Sequence, residues 1–422
     1  MQIVLCNKYF FLNGGVEKYL YDIINDLPLR GHQAIPFSVR YARTWPSVYQ
    51  DYFLASPGNP EQAHWGNIRF SPGNIVRFLD RSAYSFEAKI KLNRLLKAVQ
   101  GADIAYVLNI YNYMSPSILH TFKHHRIPVV MQIGDYNLLC PSYSLLRDGK
   151  PCTLCVQGRY YHGLRYRCVK HGLTASAVRV AAMYLHRLLG IHELVDAFTV
   201  PCEFMKTKLV EGGFSEEKIH LLRYPVQSSV EMDKAWNKKN YIVFFGRISY
   251  EKGIDTLISA FQRIEPPMDL YIIGRSYDGE EERLKGLIEP DVQDRIHFLG
   301  FQSGETLSKW IAEAMFSVVP SRWYDNAPLS VYESFQHGTP VIASRIGGIP
   351  EQVKEGVNGL LFEPDSCDDL EQKMIWLIAN KDQRMQMGTA GHEYVKTALG
   401  IKDHMDSLIN LFESVIAQDK RR

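Results

Sequence analysis

Residues 241–253 read YIVFFGRISYEKG, an uninterrupted apolar run that ends at a glycine and continues into polar residues. A short run of Tyr, Ile, Val and Phe without alternation predicts a β-strand that is buried on both faces. An amphipathic pattern of helical period begins at Gly253 and extends to Ile264. Strand, loop and helix in this order predict one unit of a parallel sheet that is covered by helices.

The same alternation recurs along the chain. Helical patterns over Val16–Leu27 and Ser330–His337 lie between short apolar runs. The further strand-like runs are Ile3–Cys6, Ile104–Leu108, Ile127–Ile133, Leu270–Ile273, Arg295–Leu299, Phe316–Val319 and Pro340–Ala343. This repetition predicts an α/β fold of two doubly wound, Rossmann-like domains that face a central cleft.

The polar stretch Gln227–Lys239 has neither the helical nor the strand period, so it is predicted to be the linker between the domains. We therefore expect an N-terminal domain over 1–225 and a C-terminal domain over 240–395. Residues 396–422 carry a helical pattern, and we expect this helix to pack back on the N-terminal domain.

The composition excludes several classes of protein. Of 422 residues, 46% are hydrophobic and 22% are charged, and the net charge is +2, which argues against disorder and against a nucleic-acid partner. No run of 18 residues is apolar throughout, and the N-terminus has no basic leader followed by a long apolar run. We expect a cytoplasmic protein without a transmembrane helix.

Four of the seven cysteines fall within a loop-like insertion at 140–168 that Pro and Gly interrupt repeatedly. They are Cys140, Cys152, Cys155 and Cys168. A Cys-x-x-Cys pair flanked by two further thiols suits a tetrahedral structural zinc, with His162 or His171 as possible substitute ligands. Reduced free thiols are the alternative. The other three, Cys6, Cys202 and Cys367, are typical of small buried hydrophobes.

Glycines and cations follow two of the predicted strands. Gly14 and Gly15 precede a helix whose free N–H groups suit phosphate, although a purely structural turn fits equally well. Arg247 and Lys252 follow Tyr241–Phe245 and together suit a diphosphate, with a solvated loop as the alternative.

The segment Ser321–Glu333 places two carboxylates around the start of a helix. Asp325 precedes the helix, and Glu333 lies about two turns inside it if the helix starts near Pro328. Ionised carboxylates accept hydrogen bonds from the paired hydroxyls of a ribose or a sugar. The glycines at 347–348, 356 and 359 are explained by turns alone.

The order of these motifs resembles that of the retaining GT-B glycosyltransferases of family 4, within the group 1 glycosyltransferases. The motifs are Gly14-Gly15, Gly246-Arg247 to Lys252-Gly253, Asp325 to Glu333, and Gly347-Gly348 to Glu351. The match is specific over Tyr241–Asp365 and thinner in the N-terminal half. The resemblance implies a nucleotide-diphosphate sugar donor and catalysis without a metal.

The resemblance also implies a role for each matched residue. Arg247 and Lys252 would hold the diphosphate and stabilise it as the leaving group, Glu333 would take the ribose hydroxyls, and Asp325 the sugar hydroxyls. These four form the implied catalytic set. The remaining donor-side residues are Gly14 and Gly15 beside the phosphate, Phe298 and Gly300 beside the base, and Asn326, Ala327, Pro328, Leu329 and Ser330 around the helix start.

Two positions depart from the family pattern. Asp325 stands where Glu is usual and is one methylene shorter, so the sugar contact is expected to shift or to select another epimer. Gly134 stands where many relatives with this cysteine-bearing segment have a His that contacts substrate, so no catalytic role is carried over to it. Asp135 and Tyr136 are the candidates that compensate.

The acceptor side is expected in the N-terminal domain. Asn109, Tyr111, Asn112 and Tyr113 follow a strand and suit a sugar, with core or turn aromatics as the alternative. A basic stretch interleaved with apolar residues predicts an amphipathic helix that rests on an anionic membrane, or a core helix with a solvated face. Its cations are Arg77, Arg81, Lys89, Lys91, Arg94 and Lys97.

We therefore expect a retaining hexosyltransferase that uses a UDP- or GDP-sugar and extends a cell-surface glycan or a lipid-linked oligosaccharide at the inner face of the membrane. The alternatives are a sugar-nucleotide epimerase or hydrolase of the same fold, and a catalytically inactive, zinc-stabilised binding relative. The sequence leaves the sugar, the base, the linkage and the oligomeric state open.

Overall fold

The computed structural model describes residues 1–56, 79–226, 238–276 and 279–420, so most of the predicted linker and Arg77 lie outside the described residues. Two parallel sheets of six strands each form the two domains. In chain order the strands are β1 (Gln2–Cys6), β2 (Gln33–Phe37), β3 (Ile104–Val107), β4 (Val129–Gln132), β5 (Leu146–Arg147), β6 (Lys150–Pro151), β7 (Ala197–Val200), β8 (Ile219–Leu221), β9 (Tyr241–Phe245), β10 (Asp269–Ile273), β11 (Ile296–Gly300), β12 (Phe316–Val319), β13 (Val341–Ser344) and β14 (Gly359–Phe362).

The N-terminal sheet has the order β2-β1-β3-β4-β7-β8, and the C-terminal sheet has the order β11-β10-β9-β12-β13-β14. The strands β5 and β6 pair separately as a short antiparallel hairpin. Both large sheets reverse their strand order beside their first strand, which is the position where doubly wound sheets open a crevice for ligands. The predicted fold class, two Rossmann-like domains of the GT-B type, is confirmed.

Helices cover both sheets. In chain order they are α1 (Gly15–Leu29), α2 (Phe86–Ala98), α3 (Ile118–His124), α4 (Tyr161–Arg165), α5 (Leu173–Leu188), α6 (Glu203–Glu211), α7 (Ile254–Phe261), α8 (Glu280–Lys285), α9 (Gly304–Glu313), α10 (Leu329–Gln336), α11 (Ile349–Gln352), α12 (Cys367–Ala379), α13 (Lys381–Ala398) and α14 (Ile401–Asp419). Short 3₁₀ turns lie at Gln50–Tyr52, Ile191–Leu194, Glu216–Lys218, Tyr250–Lys252 and Gln293–Arg295.

The central strands are buried along their whole length, as their continuous apolar sequence predicts. Every residue of β9 and β13 is buried, whereas β11, at the edge of its sheet, is only partly covered. The loop after β9 turns into α7 at Gly253, which has a φ of +66°. A Cβ atom there would lie 2.0 Å from the carbonyl oxygen of Pro320, so only glycine fits.

The basic stretch of the N-terminal domain does not form one solvated face. Arg81 is fully buried and donates from Nη2 to the carbonyl oxygen of Ala55 at 2.6 Å and to Glu87 at 2.9 Å. The expectation that Arg81 faces a membrane is therefore wrong, because this guanidinium ties two segments of the fold together. Within α2, Leu92, Leu95 and Leu96 are buried in the core, while Arg94 and Lys97 are exposed.

The last helix, α14, lies on the N-terminal sheet rather than on the domain that precedes it. Met405, Leu408 and Phe412 are buried in a cluster with Ile3 and Leu5 of β1. The chain thus crosses between the domains twice, after β8 and again at Gly400. The two crossings are in contact, because the N–H of Val226 donates to the carbonyl oxygen of Leu399 at 2.8 Å.

His404 anchors α14 to the N-terminal domain. Its Nε2 atom lies 2.9 Å from the Tyr19 hydroxyl and its Nδ1 atom lies 2.8 Å from the carbonyl oxygen of Arg223. Burial lowers the pKa of His404 to about 4, although the Arg223 carbonyl partly opposes this shift. The imidazole is therefore neutral in the folded protein at neutral pH.

A depressed histidine pKa makes the folded state sensitive to acid. The contribution of His404 is complete above about pH 6.5 and declines as the pH falls toward 4, by about 2 kcal/mol at pH 5. We expect His404→Gln to lower Tm at pH 7.5 and to flatten the fall of Tm between pH 6.5 and 5. Part of that fall persists, since burial also lowers the pKa of His186, His192 and His337.

The measurement is Tm as a function of pH by differential scanning calorimetry. His124 is exposed, so His124→Gln serves as the control and should keep the wild-type profile. An unchanged slope in His404→Gln would contradict the assignment.

Candidate active site in the interdomain cleft

The candidate residues lie in loops that follow the carboxyl ends of three central strands. Gly14 precedes α1 and Gly15 is its first residue, Arg247 and Lys252 lie between β9 and α7, and Asp325 lies between β12 and α10. Parallel strands deliver their following loops to the same edge of the sheet, so these groups gather at the cleft. The structure therefore brings the predicted donor-side residues together.

Lys252 and Asp325 form a close charged pair in this site. The Lys252 ammonium lies 2.5 Å from Oδ2 of Asp325, which also accepts a hydrogen bond from the Ser321 hydroxyl at 2.9 Å. Asp325 is 6% exposed. A carboxylate this deeply buried requires such partners, because an unpaired buried charge is costly.

Arg247 lies at the mouth of the cleft, with its side chain 40% exposed. It is paired with Glu251 one turn later, and the Tyr143 hydroxyl of the cysteine-rich insertion lies near it. Burial lowers the pKa of Arg247, but the charge of Glu251 and the Tyr143 hydroxyl raise it more, so the net pKa lies above its ordinary value. The guanidinium is a permanent cation beside Lys252 and Asp325.

Glu333 reaches across the cleft. Its Oε1 atom lies 2.7 Å from the ammonium of Lys18 on α1. Beside this pair, Gly15 faces Leu329, since a Cβ atom on Gly15 would lie 2.8 Å from Cδ1 of Leu329. The starts of α1 and α10 thus face one another across the cleft. Lys18 therefore belongs to the site, although the sequence did not indicate it.

A second missed cation is Lys8, which directly follows the first strand segment. Its ammonium lies over the rings of Tyr9 and Tyr113, at 5.2 and 5.4 Å from their centroids. Burial lowers the pKa of Lys8, while the charges of Glu17 and Asp135 partly restore it. The position of Lys8 at the end of β1 was the signal in the sequence that could have identified it.

Buried Arg322 holds the loops of the C-terminal domain in place. Its guanidinium pairs with Asp255 at the start of α7 and with Asp365, whose Oδ1 atom is 2.9 Å from Nε. It also lies over the Tyr250 ring, 4.4 Å from the centroid. Arg322 is therefore a positioning residue for the loops on both sides of Lys252.

The glycines at 347–348 do more than allow a turn. A Cβ atom on Gly347 would lie 2.3 Å from the carbonyl oxygen of Asp325, and one on Gly348 would lie 1.8 Å from that of Asn326. The N–H of Gly348 donates to the Asp325 carbonyl at 2.8 Å. These two glycines let the backbone pack directly beneath the Asp325 loop.

A side chain at Gly134 would be in tight contact with its neighbours, which would have to shift by a few tenths of an ångström. A Cβ atom there would lie 3.0 Å from the Tyr224 hydroxyl and 3.2 Å from Nε2 of Gln132, and these two groups are hydrogen-bonded to each other at 2.7 Å. The carbonyl oxygen of Gly134 accepts from Nδ2 of Asn326 at 3.0 Å, which joins the two domains. Tyr224 and Gln132 occupy the space that a larger residue would need.

Most of the acceptor-side aromatics are buried. Tyr136 is inaccessible to solvent, and Tyr111 and Tyr113 are each 7% exposed and pack in the N-terminal core. The alternative of core aromatics therefore describes Tyr111 and Tyr113, and Tyr136 is also a core residue. Asn109, Asn112 and Asp135 are half-buried, and Asp135 accepts hydrogen bonds from the backbone and side chain of Asn137 at 2.9 and 2.8 Å.

The residues expected beside the base and the sugar lie around the same cleft. Phe298 is half-buried in β11 with the Lys285 ammonium 5.2 Å from its ring centroid, and Gly300 ends that strand with a φ of +65°. Helix α10 begins at Leu329, one residue after the predicted Pro328. Asn326 and Ala327 are buried just before it, and Ser330 follows in its first turn.

The four clustered cysteines line one small cavity of about 10 Å³. They carry no disulfide bond, and no group of three or more His, Cys, Asp or Glu side chains in the described residues is arranged to hold a metal ion. Burial, followed by the neighbouring thiols of Cys140, Cys168 and Cys152, raises the pKa of Cys155 to about 12. The zinc site stays a prediction.

Close packing beneath Asp325 can be tested by adding one methyl group. We expect Gly348→Ala to destabilise the C-terminal domain by about 2 kcal/mol and to lower Tm by roughly 4–8 °C, because its Cβ atom overlaps the Asn326 backbone. Gly286→Ala is the control, since a Cβ atom there meets its neighbours only at 3.4 Å or more. Equal Tm values for the two variants, measured by circular dichroism, would refute this role.

Sequence comparison finds a matching protein family for the C-terminal half of the chain. Residues 230–394 match the family model of the group 1 glycosyltransferases. An uncharacterised glycosyltransferase of Methanocaldococcus jannaschii is 32% identical over 37% of this chain and 43% of its own length. The sulfoquinovosyl transferase SQD2 of Arabidopsis thaliana is 31% identical over 48% of this chain and 42% of its own length. The chain thus aligns with less than half of the length of these relatives.

Solved structures match the whole chain in fold. Sucrose-phosphate synthase from Thermosynechococcus elongatus has a TM-score of 0.72 at 18% identity and covers 99% of both chains. HepE from Anabaena in complex with UDP has a TM-score of 0.68 at 15% identity and covers 98% of this chain and 100% of its own. These findings confirm the GT-B fold of the chain and the resemblance of its residues 230–394 to the group 1 glycosyltransferases.

Proposed function

We propose that this chain is a glycosyltransferase that moves a hexose from a UDP- or GDP-sugar to an acceptor hydroxyl with retention of the anomeric configuration. The observation that carries the proposal is the convergence of Arg247, Lys252 and Asp325 on one wall of the cleft, with Glu333 facing Lys18 of the other domain at 2.7 Å. HepE, which shares the fold, has been solved with UDP and with UDP-glucose.

Charge explains how this set serves the transfer. The bond between the anomeric carbon and the terminal phosphate oxygen breaks, and a bond to the acceptor oxygen forms. The proton of the acceptor hydroxyl passes to the departing nucleoside diphosphate. Negative charge therefore develops on the diphosphate, and the cations Arg247 and Lys252 would stabilise it.

Donor binding must exchange partners at the Lys252–Asp325 pair. The diphosphate competes with Asp325 for the Lys252 ammonium. The sugar hydroxyls then replace this ammonium as the hydrogen-bond donors to the Asp325 carboxylate. The same exchange applies to Glu333, which accepts from the ribose hydroxyls as Lys18 releases it. In the absence of donor, the ion pairs keep both carboxylates compensated.

Nucleotide binding is the first test. We expect millimolar UDP or GDP to raise Tm, and Glu333→Ala to weaken nucleotide binding at least tenfold, because hydrogen bonds to a charged group are worth about 1.5–3 kcal/mol. Lys252→Ala should reduce turnover more than binding. The exposed Lys381 supplies the control variant Lys381→Ala, which should behave as wild type.

The same assay separates the competing functions. A protein that no nucleotide stabilises is not a glycosyltransferase of this kind. Donor hydrolysed without acceptor indicates a hydrolase, epimerised donor indicates an epimerase, and nucleotide binding without any turnover on lipid-linked glycans indicates an inactive relative. Proton NMR of the first product reports retention or inversion directly.

The acceptor is proposed to be a cell-surface glycan or a lipid-linked oligosaccharide. One relative, 25% identical over 52% of this chain, is the GDP-mannose:cellobiosyl-diphosphopolyprenol α-mannosyltransferase of Xanthomonas oryzae. Another, 22% identical over 89% of this chain, is a 42.6 kDa protein from the cps region of Klebsiella pneumoniae. No helix in the part of the chain that the structure describes is long and apolar enough to cross a membrane.

An exposed apolar surface on the N-terminal domain supports peripheral contact with a membrane. Phe86 and Ile90 on α2 are 65% and 54% exposed, and Leu188 at the end of α5 is 85% exposed. Nε2 of His186 on α5 lies 2.5 Å from the carbonyl oxygen of Ala83, three residues before α2 begins. The exposed Arg94, Lys97 and Arg187 add positive charge, which suits an anionic lipid surface.

In a flotation assay, we expect the protein to float with vesicles that contain anionic lipid. It should not bind neutral vesicles and should remain in the bottom fraction when they float. Leu188→Asp should reduce the bound fraction several-fold, because it adds a negative charge to the apolar surface. Leu287 on the C-terminal domain is 41% exposed, so Leu287→Asp is the matched control and should bind as wild type. Equal, negligible flotation with both kinds of vesicle would rule the membrane contact out.

A further inference from the structure

Residues 140–168 form an insertion with little regular structure to hold it together. Its only strands in the described structure are β5 and β6, of two residues each, and its helix α4 has five residues. Tyr143, Leu145, Asp148 and Arg167 have φ values between +48° and +57°. Non-glycine residues in this left-handed region raise the energy of the fold, so the insertion needs a strong local constraint.

Four cysteines of the insertion line one cavity, although in this structure their side chains are not arranged to hold a metal ion. Cys140, Cys152, Cys155 and Cys168 all line it, although 28 positions separate the first from the last. Its volume of about 10 Å³ is close to that of a single small occupant. The Nδ1 atom of His162, which also lines the cavity, is buried and has no hydrogen-bond partner among the described residues.

We propose that this cavity is a structural zinc site in which the four thiolates of Cys140, Cys152, Cys155 and Cys168 bind one Zn²⁺. Thiolates in the spacing of one Cys-x-x-Cys pair and two flanking cysteines favour zinc, with tetrahedral Zn–S distances of about 2.3 Å. Binding releases the thiol protons and requires the thiol side chains to turn toward the cavity. His162 lies beside the metal.

The charges around the cavity support this occupant. Zn²⁺ with four thiolates has a net charge of −2, and the guanidinium of Arg147 lines the same cavity. Arg147 also lies over the Tyr166 ring, 4.1 Å from its centroid, so it is held in place beside the thiols. Its Nε atom also lies 3.5 Å from Oδ2 of Asp148, and its positive charge would partly compensate the charge of a zinc–tetrathiolate centre.

The site would also fix one wall of the donor cleft, a consequence that rests on the proposed function. Tyr143, three residues after Cys140, lies near Arg247 of the other domain. Gly149 lies against the Tyr250 hydroxyl, since a Cβ atom there would be 2.6 Å from that oxygen. Zinc would hold the insertion against the loop that contains Arg247 and Lys252.

The test is the metal content of the full chain expressed with zinc in the medium and measured by inductively coupled plasma mass spectrometry. We expect about one zinc per chain, and at least a tenfold loss in the double variant Cys152→Ser/Cys155→Ser. Cys367→Ser, in the other domain, is the control and should retain the metal. Less than half an equivalent in the wild type, or unchanged zinc in the double variant, overturns the proposal.

Cobalt keeps the proposal testable if the double variant does not fold. The wild-type chain, stripped of zinc and titrated with Co²⁺, should show thiolate-to-cobalt charge-transfer absorption that saturates at one equivalent and disappears when zinc is added. No such absorption, or disulfide bonds among the four cysteines in the purified protein, would overturn the site. Zinc bound to a protein that no nucleotide stabilises would contradict the proposed function and leave the metal site standing.

Discussion

Parallel strand pairing is the constraint on which the cleft of this protein depends. Because every strand of the two large sheets runs the same way, the loops after β1, β9 and β12 open at the cleft edge of their sheets. Those loops contain Gly14, Lys252 and Asp325. The chemistry gathers at one place without any of these residues being close in sequence, and the buried strands behind them give the loops a rigid base.

Buried charge then fixes the shape of the loops. Asp325 is held by Lys252 and Ser321, and Arg322 links the start of α7 to Asp365. The backbone of the Asp325 loop rests on Gly347 and Gly348, where no side chain fits. These contacts hold the candidate donor-binding groups in position before any ligand arrives, which is how an electrostatic site avoids the cost of reorganisation.

The two domains are joined by more than the chain itself. The Lys18–Glu333 ion pair and the hydrogen bond from Asn326 to Gly134 cross the cleft, and α14 returns to the N-terminal sheet after the second domain is complete. The cysteine-rich insertion of the first domain reaches the Arg247 loop of the second through Tyr143. A ligand that exchanges partners with Lys18 or Arg247 therefore acts on the contact between the domains.

The sequence by itself determined the α/β class, the two sheets and the loops that follow the strands at the cleft, because continuous apolar strands and glycine-rich turns are local signals. Only the tertiary structure decided that Arg81 is buried, that Tyr111, Tyr113 and Tyr136 belong to the core, and that Tyr224 occupies the space beside Gly134. It also placed Lys8 and Lys18 in the cleft. The burial of a side chain, and its contacts with residues hundreds of positions away, depend on how the whole chain packs. No local sequence pattern encodes them.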